Sequence, residues 1–142
     1  MGDVISLKRL NVSMANVVVR SAQSLSLAEK RILIAGIAKL RGKNETVTLS
    51  ALEYAETYDV SLNTAYTQLK SAVENIFDRY MQFQTNDSKS EGVARIRWID
   101  GYKYFDAEGY ISFGFGNQIF PYLFELNQGF FTKYQLKQAA AL

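Results

Sequence analysis

The chain has 142 residues, a length that suits one domain with a sizeable hydrophobic core. Sixteen Lys and Arg residues against 14 Asp and Glu residues give a net charge of +2, which is compatible with a nucleic-acid partner without requiring one. The absence of Cys and His excludes disulfides, zinc–thiolate sites, cysteine nucleophiles and every histidine-dependent mechanism.

Membrane insertion and secretion are not indicated. No apolar run approaches the ~20 residues that a membrane-spanning helix needs. The N-terminus lacks the basic and then apolar pattern of a signal peptide, so we expect a cytoplasmic protein. The chemistry left to the chain is that of carboxylates, Lys and Tyr, together with a hard-metal site made only of carboxylates.

The first 45 residues predict a helix after a less regular start. Residues 1–16 show no clear period and are predicted to form a loose arm. The β-branched run at residues 17–19 indicates a short strand or extended segment. Ser26-Leu-Ala-Glu29 is a capping-box pattern, which predicts a helix from Leu27 to about Leu40.

A helix-turn-helix is predicted next. Residues 45–49 alternate as in a strand, and Ser50-Ala-Leu-Glu53 is a second capping box that begins a helix ending near Tyr58. After a three-residue turn, the stretch from Ser61 to Tyr80 has apolar residues at steps of three and four, with polar residues opposite. The predicted buried stripe of this long helix is Leu62, Ala65, Tyr66, Leu69, Ala72, Val73, Ile76, Phe77 and Tyr80.

The second half predicts a β-hairpin and a further helix. Residues 85–92 are entirely polar and predict a loop, and residues 93–105 and 110–115 then read as two antiparallel strands. On the second strand, Ile111, Phe113 and Phe115 are expected to face the core, and Tyr110, Ser112 and Gly114 the other side. A helix is predicted after Asn117 and is expected to end at Gly129. An extended segment at 130–135 and a helix start at 136–142 are predicted to follow.

Helices, a helix-turn-helix and then a hairpin form the order of an α+β winged-helix domain, in which the hairpin is the wing. Because many winged helices bind DNA and others only contact proteins, this order does not decide the function. The alternatives are a DNA-binding domain, a protein-interaction module or transcriptional regulator, and a carboxylate-dependent nuclease.

Several motifs, in order along nearly the whole chain, resemble theta-type plasmid replication initiators. The run from Val18 to Ile34 resembles their opening segment, with an extended valine pair followed by a capped apolar helix. Four motifs resemble the helix-turn-helix of that family: Tyr54-Ala-Glu, Tyr58-Asp-Val-Ser, Ala65-Tyr-x-x-Leu-Lys and Phe77-Asp-Arg. Four more resemble its wing and the segment that follows the wing: Trp98-Ile-Asp-Gly-Tyr-Lys-Tyr, Ile111-Ser-Phe, Pro121-Tyr-Leu and Phe131-Thr-x-Tyr-x-Leu.

The resemblance implies that residues 1–142 form one winged-helix domain, the N-terminal half of a two-domain initiator. In that family two such domains bind the repeated origin sequences (iterons) as a monomer and repress their own gene as a dimer. The first domain contributes dimerisation and accessory DNA contacts. The implied partners are double-stranded DNA, a second copy of the chain and host replication proteins, with no cofactor and no catalytic residue.

Two sets of polar residues are candidate DNA contacts. The first lies on the polar face of the long helix, and a merely solvated face would look similar. It comprises Asn63, Thr64, Thr67, Gln68 and Lys70. The second is Arg95 and Arg97 on the predicted hairpin, which suit phosphate contacts or, alternatively, protect an edge strand from pairing.

The hairpin is also the candidate dimer interface, because strand alternation can direct only about half of its aromatic residues to the core. Tyr104, Tyr110 and Ser112 are the predicted interface residues, unless the wing folds back on the last helix and covers them. Metal binding and acid–base catalysis are disfavoured alternatives, since turn and capping roles explain the acidic residues. Those residues are Asp100, Asp106, Glu108, Glu53 and Glu56.

Overall fold

Five helices and five strands follow one another in residues 14–43, 45–86 and 89–129, the part of the chain that the computed structural model describes. The helices are α1 (14–22), α2 (Leu27–Ala38), α3 (Ala51–Tyr58), α4 (Leu62–Phe77) and α5 (Phe120–Gly129). The strands are β1 (Thr46–Ser50), β2 (Tyr80–Thr85), β3 (Gly92–Arg97), β4 (Gly101–Phe105) and β5 (Tyr110–Gly114).

Serine caps begin three of these helices, as the sequence predicts. Ser26 and Ser50 each accept a hydrogen bond from the amide three residues later, and Glu29 and Glu53 return the contact in complete capping boxes. Ser61 accepts from the Thr64 amide at the start of α4. These local interactions satisfy amides that the first helical turn leaves free, which explains why the starts of α2, α3 and α4 are where expected.

The predicted strand at residues 17–19 is wrong, because these residues are helical and belong to α1. Val18 is 3% exposed and belongs to the core, whereas Val19 on the other side of the helix is 42% exposed. β-Branched residues disfavour a helix by only a few tenths of a kcal/mol each, so burial of Val18 outweighs their propensity. The predicted arm at residues 1–16 is wrong for residues 14–16, which belong to α1, and its remainder lies outside the described residues.

Between α3 and α4 the chain turns at Asp59, whose backbone is left-handed with a φ of 55°. The Val60 amide donates to the Ala55 carbonyl, which closes the end of α3. The buried face of α4 consists of Ala65, Leu69, Ala72, Val73 and Ile76. The prediction extends this helix too far at its C-terminus: α4 ends at Phe77, and the predicted stripe members Leu62 and Tyr80 are 55% and 44% exposed.

The predicted single hairpin is two separate antiparallel pairings. β3 pairs with β2, with Tyr80 opposite Arg97, and these two strands form a sheet of their own. β4 pairs with β5, and β5 also pairs with β1, which gives a three-stranded sheet in the order β1-β5-β4. The predicted strand at 93–105 is broken because Trp98 and Ile99 are both buried, so that the alternation of faces stops between β3 and β4.

The core lies between the three-stranded sheet and helices α2, α4 and α5. Ile111 and Phe113 of β5 are buried against this helical layer, as predicted. Gly36 of α2 allows the closest approach, since a Cβ atom there would lie 2.8 Å from the Phe113 Cζ atom. Ile119, Leu123 and Leu126 complete the layer from the C-terminal side.

Helix α5 begins close to the predicted start, and the Asn127 side-chain amide donates to the Ile37 carbonyl of α2. The structure predicted for residues 130–142 lies outside the described residues. None of the helices in the described part of the chain combines the length and apolar character that crossing a bilayer requires.

The order α2, β1, α3, α4, β4, β5 is that of a winged helix, which confirms the predicted α+β fold. The wing is the hairpin of β4 and β5, with its turn at residues 106–109. The β2–β3 hairpin is inserted between α4 and the wing. Arg95 and Arg97 therefore lie on the inserted hairpin and not on the wing.

Candidate nucleic-acid interface

The N-terminal half of α4 presents short polar side chains to solvent. Asn63, Thr64 and Thr67 are all exposed. The Thr67 hydroxyl donates to the Asn63 carbonyl at 3.0 Å, and the Ser61 hydroxyl donates to the Thr64 hydroxyl oxygen at 2.8 Å. The hydroxyl groups of both threonines are thus engaged by contacts within the helix and its cap.

On one flank of this surface, α4 is joined to α3 and α2. Gln68 is half-buried, and its Oε1 atom accepts a hydrogen bond from the Tyr54 hydroxyl at 2.6 Å. Arg31 of α2 donates to the same hydroxyl at 3.4 Å. Its guanidinium lies over the Tyr58 ring at 4.4 Å, and the pKa of Tyr58 is raised to about 12 by burial.

On the opposite flank, α4 is joined to the wing. Asp106 in the wing turn accepts a hydrogen bond from the Tyr66 hydroxyl at 2.6 Å. It also forms an ion pair with Lys70 at 3.2 Å. The Lys70 ammonium also lies 4.2 Å from the centre of the Tyr104 ring. The hydrogen bonds from Tyr66 and Lys70 lower the pKa of Asp106, while burial and the bond to Asp106 raise the pKa of Tyr66 to about 12.

The wing turn is not a basic surface. Asp106 and Glu108 are exposed in or beside the turn, and Lys103 is the exposed cation of β4. The two acidic side chains are balanced by Lys70 and Lys103, so the turn has no net positive charge to attract a phosphate group. The N-terminal half of α4, residues 62–69, carries no charged side chain.

Arg95 and Arg97 are placed away from the polar half of α4. Arg97 donates to the Phe77 carbonyl at the last residue of the helix, at 2.9 Å. Arg95 donates to Gln82 across the hairpin at 3.0 Å. Along the axis of α4, Phe77 lies about 20 Å from Asn63 and about 10 Å from Lys70, the two ends of the candidate set on this helix.

The three predicted dimer residues do not form one exposed patch. Tyr104 is 43% exposed, but its ring is beneath Lys70. Tyr110 is half-buried and stacks on Phe105 with ring centres 4.6 Å apart. Ser112 is only 7% exposed, so it offers almost no surface to a second copy of the chain. The reason is that β5 is the central strand, with a partner on each side.

Two of the five acidic candidates, Glu53 and Asp106, have structural partners. Glu53 forms an ion pair with Lys39 at 2.7 Å and caps α3. Burial raises the pKa of Glu53, but the hydrogen bonds from Lys39 and the Ser50 amide outweigh it and lower the pKa overall. Within the described ranges, no three Asp or Glu residues converge as metal ligands would.

Sequence reasoning misses the residues that join α4 to its neighbours: Arg31, Tyr54, Tyr66 and Asp106. The prediction treats Tyr66 as part of the apolar stripe and Asp106 as turn chemistry. A signal was available, because the hydroxyl of a tyrosine in a buried or half-buried position needs a hydrogen-bond partner. That requirement points to Tyr54 and Tyr66, although not to their partners.

Comparisons with known proteins agree with this architecture. The family model described as "Initiator Replication protein, WH1" matches residues 11–142. The fold is similar to the crystal structure of the MSBI1.176 WH1 domain, a replication protein isolated from a multiple sclerosis patient. Here the TM-score is 0.69 and the identity 23%, over 84% of this chain and 95% of that chain.

The fold is also similar to the crystal structure of the Pi initiator protein in complex with iteron DNA, with a TM-score of 0.69 and 20% identity over 88% of this chain and 55% of that chain. No curated protein sequence matches the chain. Since the family match covers all but the first ten residues, the chain belongs to the initiator replication proteins, in which it corresponds to the WH1 domain.

Proposed function

We propose that this domain binds double-stranded DNA at the repeats of a plasmid origin, through the outward face of α4, and that it does so without catalysing a reaction. The observation that carries the proposal is that α4 exposes Asn63, Thr64 and Thr67 and is held rigidly on both flanks. An α-helix fits the major groove, and hydroxyl and amide side chains can bond base edges there. The similar Pi initiator, solved with iteron DNA, supports this partner.

Arg95 and Arg97 are proposed as separate phosphate contacts. Both are exposed on the inserted hairpin, beyond the C-terminal end of α4. Phe77, which Arg97 contacts, lies about 15 to 20 Å along the helix axis from Thr67 and Asn63, so the arginines suit a contact with the DNA backbone outside the groove that α4 enters. Arg95→Ala should reduce the salt dependence of binding by about one counterion while leaving sequence preference unchanged.

The domain is further proposed to act as one of two winged helices in a longer initiator in the cytoplasm of its host. Alignment with 55% of the Pi initiator chain supports a role as one part of such a protein. A second tethered domain would raise apparent affinity through effective concentration. A chain that carries both domains should therefore bind origin DNA far more tightly than residues 1–142 alone. Contacts with host replication proteins stay a prediction.

The DNA proposal is tested by selecting duplexes from a randomised library and measuring the affinity of the enriched duplex at several salt concentrations. Wild-type protein should enrich defined sequences, and its binding should weaken steeply as salt rises. Thr67→Glu places a negative charge on the outward face of α4 and should weaken binding by about tenfold or more.

Thr46→Glu is the matched control. Thr46 is also exposed, but it lies opposite Gly114, at the end of the sheet away from the wing turn. This variant should bind as the wild type does. A wild type that enriches no duplex would overturn the proposal in favour of a protein-interaction module. Equal losses in both variants would remove α4 from the interface.

We also propose that the domain self-associates, and that the inserted hairpin contributes the surface. Val93 and Tyr80 on this hairpin are 64% and 44% exposed. Among the described residues, neither β2 nor β3 has a second strand partner, so each offers a free edge. A two-fold dimer buries such a surface with one patch serving both copies.

Sedimentation of the wild type, Val93→Asp and Tyr110→Asp at tens of micromolar compares the two candidate surfaces. A dimer that Val93→Asp dissociates and Tyr110→Asp leaves intact is the expected result. Dissociation by Tyr110→Asp alone would move the interface to the wing. A wild type that stays monomeric would contradict self-association through either hairpin.

A further inference from the structure

A chain of hydrogen bonds runs from α2 through α3 to the side chain of Gln68 on α4. Resting on the DNA-binding role proposed above, we propose that Tyr54 is a positioning residue: it fixes Gln68 as a hydrogen-bond donor, so that α4 recognises a guanine rather than an adenine at the position Gln68 meets. Neither Tyr54 nor Arg31 needs to touch DNA for this effect.

The direction of each hydrogen bond follows from the donors available. Arg31 has only N–H donors, so the Tyr54 hydroxyl oxygen accepts from its Nη1 atom at 3.4 Å. The hydroxyl has one proton, and the atom it meets at 2.6 Å is Oε1 of Gln68. The Gln68 oxygen therefore points inward to Tyr54, and its amide nitrogen points the other way.

The reverse orientation of the Gln68 amide would leave a proton without a partner. The Tyr54 hydroxyl would then face N–H groups of both Arg31 and Gln68, with no acceptor for its own hydrogen. Tyr54 is 4% exposed, and a buried polar hydrogen left unpaired costs about 1–3 kcal/mol, which strongly favours the orientation with the oxygen inward.

Arg31 is held in place by the surrounding rings. Its guanidinium carbon lies 4.4 Å from the Tyr58 ring centre and 5.9 Å from that of Tyr54. Its Nε atom is buried and makes no hydrogen bond within the described residues. Since stacking on Tyr58 fixes the guanidinium, the donor that orients the Tyr54 hydroxyl is not free to move away.

The outward side of Gln68 carries only donors. The Nε2 atom has no hydrogen-bond partner in the described part of the chain, and it is not among the buried unpaired atoms, so it faces solvent. It is thus available to a ligand that approaches α4.

This arrangement selects between the purines. A glutamine recognises adenine by using its oxygen and its nitrogen together, because adenine offers both an acceptor and a donor in the major groove. Because Oε1 points inward to the buried Tyr54, Gln68 offers only its two amide hydrogens at the outward face of α4. Guanine presents two acceptors, N7 and O6, and therefore complements the side chain as it is held here.

The positioning step can be tested without DNA by NMR on ¹⁵N-labelled protein. Gln68→Ala identifies the side-chain amide signal of Gln68 by its loss. Tyr54→Phe, which removes only the hydroxyl, should shift that signal. Tyr58→Phe is the matched control, because its ring stacks on Arg31 as well but no hydrogen bond joins it to Gln68. It should leave the signal in place.

The recognition step is tested by selecting duplexes from a randomised library with the wild type, Gln68→Ala and Tyr54→Phe. The wild type should require guanine at one position that Gln68→Ala no longer discriminates, and Tyr54→Phe should admit adenine there. Replacing that guanine by 7-deazaguanine, which lacks the N7 acceptor, should weaken wild-type binding by roughly tenfold and leave Gln68→Ala unaffected.

The outcomes separate this inference from the DNA-binding role. A wild type that enriches no duplex overturns the proposed function and the inference together. Enrichment in which Gln68→Ala changes no position, or in which the Gln68-dependent base is adenine, overturns the inference alone. A Gln68 amide signal that Tyr54→Phe does not move also overturns it, even where DNA binding is confirmed.

Discussion

Replacing Gly36 with alanine tests how closely α2 packs against β5. In the middle of a helix, alanine is favoured over glycine by about 0.8–1.0 kcal/mol. A Cβ atom at Gly36, however, would lie 2.8 Å from Phe113 Cζ and 3.0 Å from Phe115 Cζ. These rings are 1% and 4% exposed, so neither can move into solvent. Overpacking of this kind costs about 1–3 kcal/mol, and we expect Gly36→Ala to be destabilising by about 0.5–2 kcal/mol.

Urea denaturation measures the effect as a lower midpoint at constant slope. The control is the same change in a Phe113→Leu background, because leucine lacks the Cζ atom that the new methyl group would meet. There the helix preference should dominate, and Gly36→Ala should become neutral or stabilising. The difference between the two backgrounds gives the coupling between the two positions directly.

Two results would refute this reasoning. The first is a stabilising Gly36→Ala in the wild-type background, which would mean that α2 and β5 separate easily. The second is an equal destabilisation in both backgrounds, which would show that the Phe113 ring is not the obstacle.

Three further changes test other contacts. Leu69→Ala, at a residue with no exposed surface, should destabilise the domain by about 2–5 kcal/mol, and chemical denaturation giving less than about 1 kcal/mol would mean that the buried face of α4 is misassigned. Glu29→Ala should cost about 1–2 kcal/mol by the same assay, because it removes both the capping box of α2 and the 3.0 Å ion pair to Arg79. Since the pKa of Asp106 is lowered, its ionised form stabilises the fold above the ordinary pKa of 3.8, and that contribution is lost as pH falls through the lowered value. A carboxyl ¹³C titration should show this pKa rising in Tyr66→Phe; an unchanged value would contradict the hydrogen bond.

Local patterns made much of the helical structure predictable. Ser26, Ser50 and Ser61 signal helix starts because a cap and the amides it satisfies lie within three residues of each other. The spacing of apolar residues in α4 likewise identifies its buried face, because the whole pattern lies within one helix. The polar residues opposite follow from the same period, so the outward face of the candidate site was predictable as well.

Strand pairing was not predictable in the same way. Alternation along residues 93–97 is the same whether the partner is β2 or β5, and only the burial of Trp98 and Ile99 separates the two sheets. The contacts that hold α4 are also non-local: Tyr54 and Gln68 are 14 residues apart, and Tyr66 and Asp106 are 40 apart. No short sequence window contains both partners, so these contacts appear only once the helices and wing are assembled.

The inserted β2–β3 hairpin also bears on the speed of folding. Pairing of β1 with β5 joins Ser50 to Tyr110 and must close a long loop, which makes it the slow, entropically costly event. An isolated hairpin can form locally within about 1–10 μs. Once Tyr80 lies opposite Arg97, the two ends of the inserted hairpin are adjacent, so the effective length of the loop between α4 and β4 is short. We therefore expect the insertion to slow the closing of the three-stranded sheet very little, provided that the hairpin forms first.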